Sequence, residues 1–328
     1  MRRRDFVLLT SAAIAWPLVG STQQAERVRH VGLLSPFRED DPETRSRLAA
    51  FRQRLQELGW TEDRNIRIEY RFTDGNPEHT RAAALELTAP APDVLVAYAN
   101  PAVSAFQSVT RTIPIVFTQV SDPLGSGFVT ALARPEGNTT GFHSFEPAMG
   151  GKWLQLLKEI APALRHAAVV YDPNIIANVG FLRAAETSAV SLGMLLTAAG
   201  AHDGADIERA LTGFAAEPDG GLVVAPAPAT FDGRQLLIGL AKTLRLPAIY
   251  PYRFFIDSGG LASYGFERVE QFQQAATYVD RILRGANPAE LPVQLPTKYQ
   301  LILNLAAARA IGLTVPEAVL ARADEVIE

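Results

Sequence analysis

The chain contains no cysteine, and that absence removes disulfides, thiolate metal sites and cysteine nucleophiles together. It also removes thiol lipidation as a tether to a membrane. Charge of one sign is scarce. Beyond Arg2, Arg3 and Arg4 no block of like charges appears, and the formal net charge is −4. A general nucleic-acid binder needs a basic face to neutralise phosphates, so no nucleic-acid partner is expected. The five histidines, His30, His79, His143, His166 and His202, show no metal-ligand spacing. HExxH, GxSxG and GxGxxG patterns are absent, and Gly125-Ser126-Gly127 lacks the lysine and spacing of a phosphate loop. Neither a metal nor a cofactor is expected. Asp122 and Asp172 are the pair that would make the chain a hydrolase or isomerase. Their proline neighbours explain them more simply as helix caps or ligand contacts, so the chain is not expected to be an enzyme.

What is present describes an exported globular protein. With 328 residues, 48% of them hydrophobic and 20% charged, the chain exceeds what one core usually organises, and two lobes are expected. Residues 1–24 have a positive start, an apolar stretch from Phe6 to Val19 and then small residues at Gly20 and Ser21. This is the layout of a signal peptide, and the stretch is short for a membrane span. Arg3-Arg4-Asp5-Phe6 resembles a twin-arginine export signal, and cleavage is expected near Ser21. The alternative is an amphipathic helix of the mature chain. A cleaved leader and no lipid anchor place the protein free in a periplasm.

Short β-branched runs then alternate with helical patterns, as in βαβ units with parallel sheets. "RHVGLLSP" (29–36), "IRIEYRF" (66–72), "DVLVAYAN" (93–100) and "IPIVFTQV" (113–120) read as strands. Asp41-Pro42 and Asn76-Pro77 open helices as cap and first residue, and a further helix is expected from about Leu124 to Arg134. The pattern restarts at "RHAAVVYDP" (165–173), which echoes the first strand, after a polar joint near 137–147. A strand at 259–265 and a long helix at 267–283 are left over after the second set, so the chain is expected to cross back to the first lobe. The tail is expected to end in a helix near Leu301–Ile311.

Four polar–proline junctions stand at the carboxyl ends of expected strands: Ser35-Pro36, Asn100-Pro101, Asp122-Pro123 and Asp172-Pro173. Ligands of open α/β sheets bind outside those ends, where helix N-termini present unpaired N–H groups. Helix capping alone accounts for any one junction, but two such edges facing each other would make a cleft. Tyr98, Tyr171 and Tyr264 lie near strand ends and would wall the apolar part of a small-molecule pocket. Ser35, Tyr98, Asn100, Asp122, Tyr171, Asp172 and Tyr264 are therefore the candidate ligand-binding residues.

Several stretches together carry a likeness: "RHVGLLSP", "RLQELGW" (54–60), "SDPLGSGFV" (121–129), "RPEGNTTGF" (134–142), "KWLQLLKEIAP" (152–162), "YVDRILRGANPAELPV" (278–293) and "ARADEVIE" (321–328). The chain resembles the substrate-binding proteins of ABC transporters with the type 1 periplasmic-binding-protein fold, in a branch whose better-known relatives bind tryptophan and tyrosine. The resemblance implies two flavodoxin-like α/β lobes joined by three crossovers. Lobe 1 is expected over 28–141 plus 265–289, and lobe 2 over 142–264 plus 290–328. It also implies a small-molecule solute trapped by hinge closure, a partner ABC permease in the inner membrane and a monomeric receptor. Ligand sensing for a membrane receptor is the alternative use of the same cleft. Asp122 falls in the family's aspartate–proline loop and would meet a ligand donor such as an ammonium. Where relatives of known amino-acid specificity tend to carry a polar element after the second-lobe strand, this chain has "APAPATFDG" (225–233).

Overall fold

The computed structural model describes residues 27–215 and 219–328. The expected leader over 1–24 and its cleavage near Ser21 lie outside the described residues.

Two sheets divide the chain. The first half alternates β1 (Arg29–Ser35), α1 (Pro42–Glu57), β2 (Ile66–Phe72), α2 (Pro77–Thr88), β3 (Val94–Tyr98), α3 (Ala99–Val109), β4 (Ile115–Val120) and β5 (Thr139–His143). Its five strands are all parallel, in the order β2-β1-β3-β4-β5. Strands β3 and β4 are buried along their whole length, as continuous apolar runs must be when helices cover both faces. Helix α1 begins where Asp41 accepts hydrogen bonds from the N–H groups of Glu43 and Thr44. It buries Leu48, Phe51 and Leu55 in the core it shares with α10. Truncating such a ring, as in Phe51→Ala, costs about 3–5 kcal/mol.

The second half continues with α4 (Met149–Ile160), β6 (His166–Tyr171), α5 (Ile176–Leu192), β7 (Leu195–Gly200), α6 (Gly204–Phe214), β8 (Gly220–Val224), α7 (Pro228–Asp232), α8 (Arg234–Thr243), β9 (Ala248–Tyr250), α9 (Arg253–Asp257), β10 (Ala262–Gly265), α10 (Arg268–Leu283), β11 (Gln300–Asn304), α11 (Leu305–Ala310), α12 (Glu317–Leu320) and β12 (Glu325–Ile327). Its seven strands run in the order β12-β11-β10-β9-β8-β6-β7. The pairing is parallel except where β11 meets β10. The two flavodoxin-like lobes of a type 1 periplasmic binding protein are recognisable in this topology.

The chain passes between lobes three times. It leaves the first sheet after β5 and returns through α10, which packs on α1, β3, β4 and β5. Trp60 fastens that return by donating from Nε1 to Asp280 Oδ1 at 2.8 Å. The segment 291–294 then runs beside β5, with His143 N–H donating to the Gln294 carbonyl, before the chain enters β11. Phe145, fully buried in the first crossover, lies against Trp153, Tyr252, Phe266 and Tyr299. Aromatic packing thus fixes the joint that glycines and polar residues mark in the sequence.

Two expected helices differ. Residues 124–134 form turns. The Asp122 carboxylate accepts from Gly125 N–H at 3.0 Å, and Gly127 takes φ +72°, so the capped turn does not propagate. The tail segment 301–311 splits into β11 and the short α11, because its apolar run completes the second sheet.

Candidate ligand-binding cleft

The carboxyl ends of strands from both sheets meet around one cavity. Phe37 comes from beyond β1, Tyr98, Ala99 and Asn100 from the β3–α3 junction, and Gln119 and Ser121 from the end of β4. Opposite them stand Pro226, Ala227, Thr230 and Phe231 after β8, and Pro251, Tyr252 and Phe255 after β9. Arg268 opens α10 immediately past β10 and lines the same space. The first-lobe edge is conformationally demanding: Ala99 and Gln119 take φ +66° and +59°, and a register shift interrupts β4 between Phe117 and Val120. Left-handed backbone at residues other than glycine concentrates at ligand clamps, where surrounding structure enforces it.

Arg268 dominates the electrostatics. It is 5% exposed, and its Nε donates to Gln119 Oε1 and its Nη2 to the Tyr98 hydroxyl, each at 2.6 Å. Its guanidinium lies 4.2 Å from the Tyr252 ring centre and 5.0 Å from that of Phe231, stacking that suits a planar cation. Nη1 has no hydrogen-bond partner, and Arg268 makes no ion pair among the described residues. Arg47 shares the Phe231 ring, at 5.2 Å, and lies 5.6 Å from that of Tyr98. It is 1% exposed and pairs with Glu43 at 2.9 Å, while Nε and Nη2 remain without partners. Burial, and then repulsion from Arg268, lowers the Arg47 guanidinium to about 10. Arg268 has no carboxylate partner among the described residues, and an anion would compensate its charge.

Contacts between the lobes close the rim. Arg234 Nη2, at the start of α8, donates to Asp41 Oδ2 at 2.6 Å, and the Phe37 and Phe231 rings meet at 4.5 Å.

The sequence candidates disperse. Tyr98 and Asn100 line the cavity. Asn100 is the second residue of α3 rather than its cap, and its amide clasps the neighbouring strand end. Nδ2 donates to the Ser121 carbonyl at 2.7 Å, and Oδ1 accepts from Ser121 N–H at 2.9 Å. Ser35 is buried beneath, its hydroxyl accepting from Phe37 N–H. Asp122, Tyr171, Asp172 and Tyr264 are not among the lining residues. Asp172 caps a turn at Asn174 and meets His202 Nδ1 at 3.1 Å, while Tyr264 stacks on Tyr299. Among the described residues no cluster of His, Asp and Glu could hold a metal, and no helix is long and apolar enough to cross a membrane.

Sequence reasoning passed over Arg268, Gln119, Phe37 and Phe231. Arg268 stands three residues past β10, the same strand-end position that singled out the proline junctions. Arg47 falls on the buried stripe of α1 with Phe51 and Leu55, and an arginine on an apolar stripe is itself a signal.

Comparison with known proteins agrees with this geometry. Residues 40–327 match the family model described as ABC transporter substrate binding protein. A tyrosine-binding protein of Clostridioides difficile (strain R20291) is 21% identical over 269 residues, 80% of this chain and 75% of that protein. The crystal structure of a conserved domain protein from Vibrio cholerae superposes with a TM-score of 0.85 at 31% identity, covering 92% of this chain and all of that one. An ABC domain from Streptococcus pneumonia in complex with L-Trp gives 0.83 at 22% identity, with the same coverage. The chain belongs to the ABC transporter substrate-binding protein family.

Proposed function

We propose that the protein captures a small organic solute, amino-acid-like or aromatic, between its lobes and delivers it to an ABC permease in the inner membrane. The observation that carries this reading is Arg268, a buried guanidinium with a free Nη1 beside an aromatic-walled cavity between two lobes. A free donor at that depth is costly unless a ligand completes it. Relatives whose names state tyrosine or tryptophan binding support the class of solute. Tyr98 and Arg268 would hold the polar end of the solute, and Phe231 and Tyr252 would cover its body. Closure follows population shift: a solute touching both walls only when the lobes meet draws them together by its differential affinity. The protein is proposed to act as a monomer in the periplasm after removal of the leader.

Native mass spectrometry of freshly purified mature protein tests this reading. The expected result is a 1:1 adduct of one small organic molecule that disappears on unfolding. Protein carrying no adduct, with no stabilisation by any solute in a broad thermal-shift screen, would count against it.

A further inference from the structure

Four features of the cleft bear on which solutes it can accept. First, Arg268 presents a free Nη1, and the Tyr98 hydroxyl accepts from Arg268, which leaves its own O–H proton to donate. Helix α3 also has no side chain capping its first N–H groups, and Ala99 and Asn100 at that end line the cavity. All of these are donors, and the residues that carry them line the same cavity. Second, no Asp or Glu lines the cavity. Third, apart from the Tyr252 hydroxyl, the amide and threonine side-chain acceptors that line it are already engaged. Gln119 Oε1 accepts from Arg268, Asn100 Oδ1 from Ser121 N–H, and Thr230 Oγ1 from Ala227 N–H. Fourth, the opposite wall is mostly proline, alanine and aromatic rings.

We propose that the solute is an organic carboxylate with a flat apolar body and no ammonium group. The proposal rests on the solute-receptor reading above and narrows it to one chemical class. A carboxylate would take the Arg268 Nη1 and Tyr98 donors, while its body lies against Phe231 and Tyr252. The α-ammonium of an amino acid would enter a space already holding Arg268, with Arg47 behind it, and would find no carboxylate. A buried ammonium beside two like charges, with no carboxylate from the protein to pair with, is disfavoured. Asp122, the carboxylate that would otherwise answer it, lies off the cavity and holds the Gly125 N–H instead. It keeps the turn after β4 and does not read the solute.

Matched probes test this by calorimetry on the purified mature chain after dialysis to remove retained solute. One set is 3-phenylpropionate, L-phenylalanine and 2-phenylethylamine. The second is 3-(indol-3-yl)propionate, L-tryptophan and tryptamine. Within a set, the acid is expected to bind at least tenfold tighter than the amino acid, and the amine not at all. Arg268→Gln should weaken the acid at least a hundredfold. Arg268→Lys, which keeps the charge but not the planar fork, should weaken it less. Asp122→Asn, which retains an acceptor for Gly125 N–H, should leave it within twofold. An amino acid binding as tightly as its matched acid overturns the proposal and leaves the receptor reading standing. So does binding of neutral sugars or polyols in place of the acids. If no solute of any class binds, the receptor reading falls and this inference falls with it.

Discussion

The two walls of the cleft are made from the same structural part, the carboxyl ends of parallel strands, yet they carry opposite chemistry. The first-lobe wall, with Arg268 docked beside it on α10, holds a guanidinium, two amides and hydroxyl groups. The second-lobe wall offers Pro226, Ala227, Phe231, Pro251, Tyr252 and Phe255. One wall orients a polar group and the other removes it from water. Enclosure of this kind strengthens the polar contacts, because charge–dipole interactions grow as the local dielectric falls. The sequence places much of this division near the strand ends, since Asn100, Gln119 and Arg268 stand at the ends of β3, β4 and β10 while Phe231 and Phe255 follow β8 and β9.

Removing the apolar wall should have the largest effect. The Phe231 ring touches Phe37 and Phe254 and lies within 6 Å of Arg47, Arg234 and Arg268. Phe231→Ala should cost about 3–5 kcal/mol of stability by denaturant unfolding, together with at least a tenfold loss of solute affinity. Affinity that survives intact would mean the second lobe does not cover the solute.

Breaking the polar wall from behind should cost less. Asn100→Ala removes both hydrogen bonds to the Ser121 backbone and leaves its buried N–H and carbonyl unpaired. About 1–3 kcal/mol of stability should be lost, measured by the same unfolding midpoint. A neutral substitution would show that the β3 and β4 ends hold their relative position without the clasp.

The rim separates closure from recognition. Arg234→Ala removes the cross-lobe pair with Asp41 but spares Asp41 as the cap of α1. Affinity should fall by roughly tenfold or less through faster dissociation, with little change in melting temperature. A slower association rate with unchanged dissociation would place the pair in the encounter instead.

A further expected effect depends on pH. Burial first, and then the neighbouring Asp41 and Asp74 carboxylates, push the Asp232 carboxyl up from 3.8 to about 6. A raised carboxyl favours its neutral form in the folded state. Its contribution is therefore complete below the ordinary value and is lost as pH rises through about 6. Asp232→Asn, which stays neutral, should gain stability relative to the parent chain as pH climbs from 4 to 7. A stability difference that stays flat across that range would show that Asp232 ionises freely.

The fold was legible because its signals are repeated. Strand–helix alternation, the Asp41 and Asn76 caps and the restart at His166 all agree, and local patterns that agree across a chain specify one topology. The segment 124–134 was misread because an Asp-Pro start resembles a helix, whereas the Asp122 carboxylate closes on Gly125 and Gly127 turns the chain away. For the site, strand-end reasoning found the edge and two of its lining residues, Tyr98 and Asn100. It passed over Arg268 and Phe231 because it looked for polar–proline pairs. A side chain's reach into a cavity depends on tertiary packing, here on how α10 seats against the first lobe, which no local pattern encodes. The apolar "APAPATFDG" stretch was visible as an unusual feature, and it forms the apolar wall.

The division between the walls turns on Arg268 being present for the solute rather than for the fold. Thermal melting of Arg268→Met, alone and with saturating 3-phenylpropionate, tests this most directly. Methionine fills the space without burying an unpaired charge. The unliganded variant should therefore melt no lower than the parent chain, and 3-phenylpropionate should give the parent a clear upward shift and the variant none. An unliganded variant that melts well below the parent, yet is stabilised by 3-phenylpropionate as strongly, would contradict the assignment.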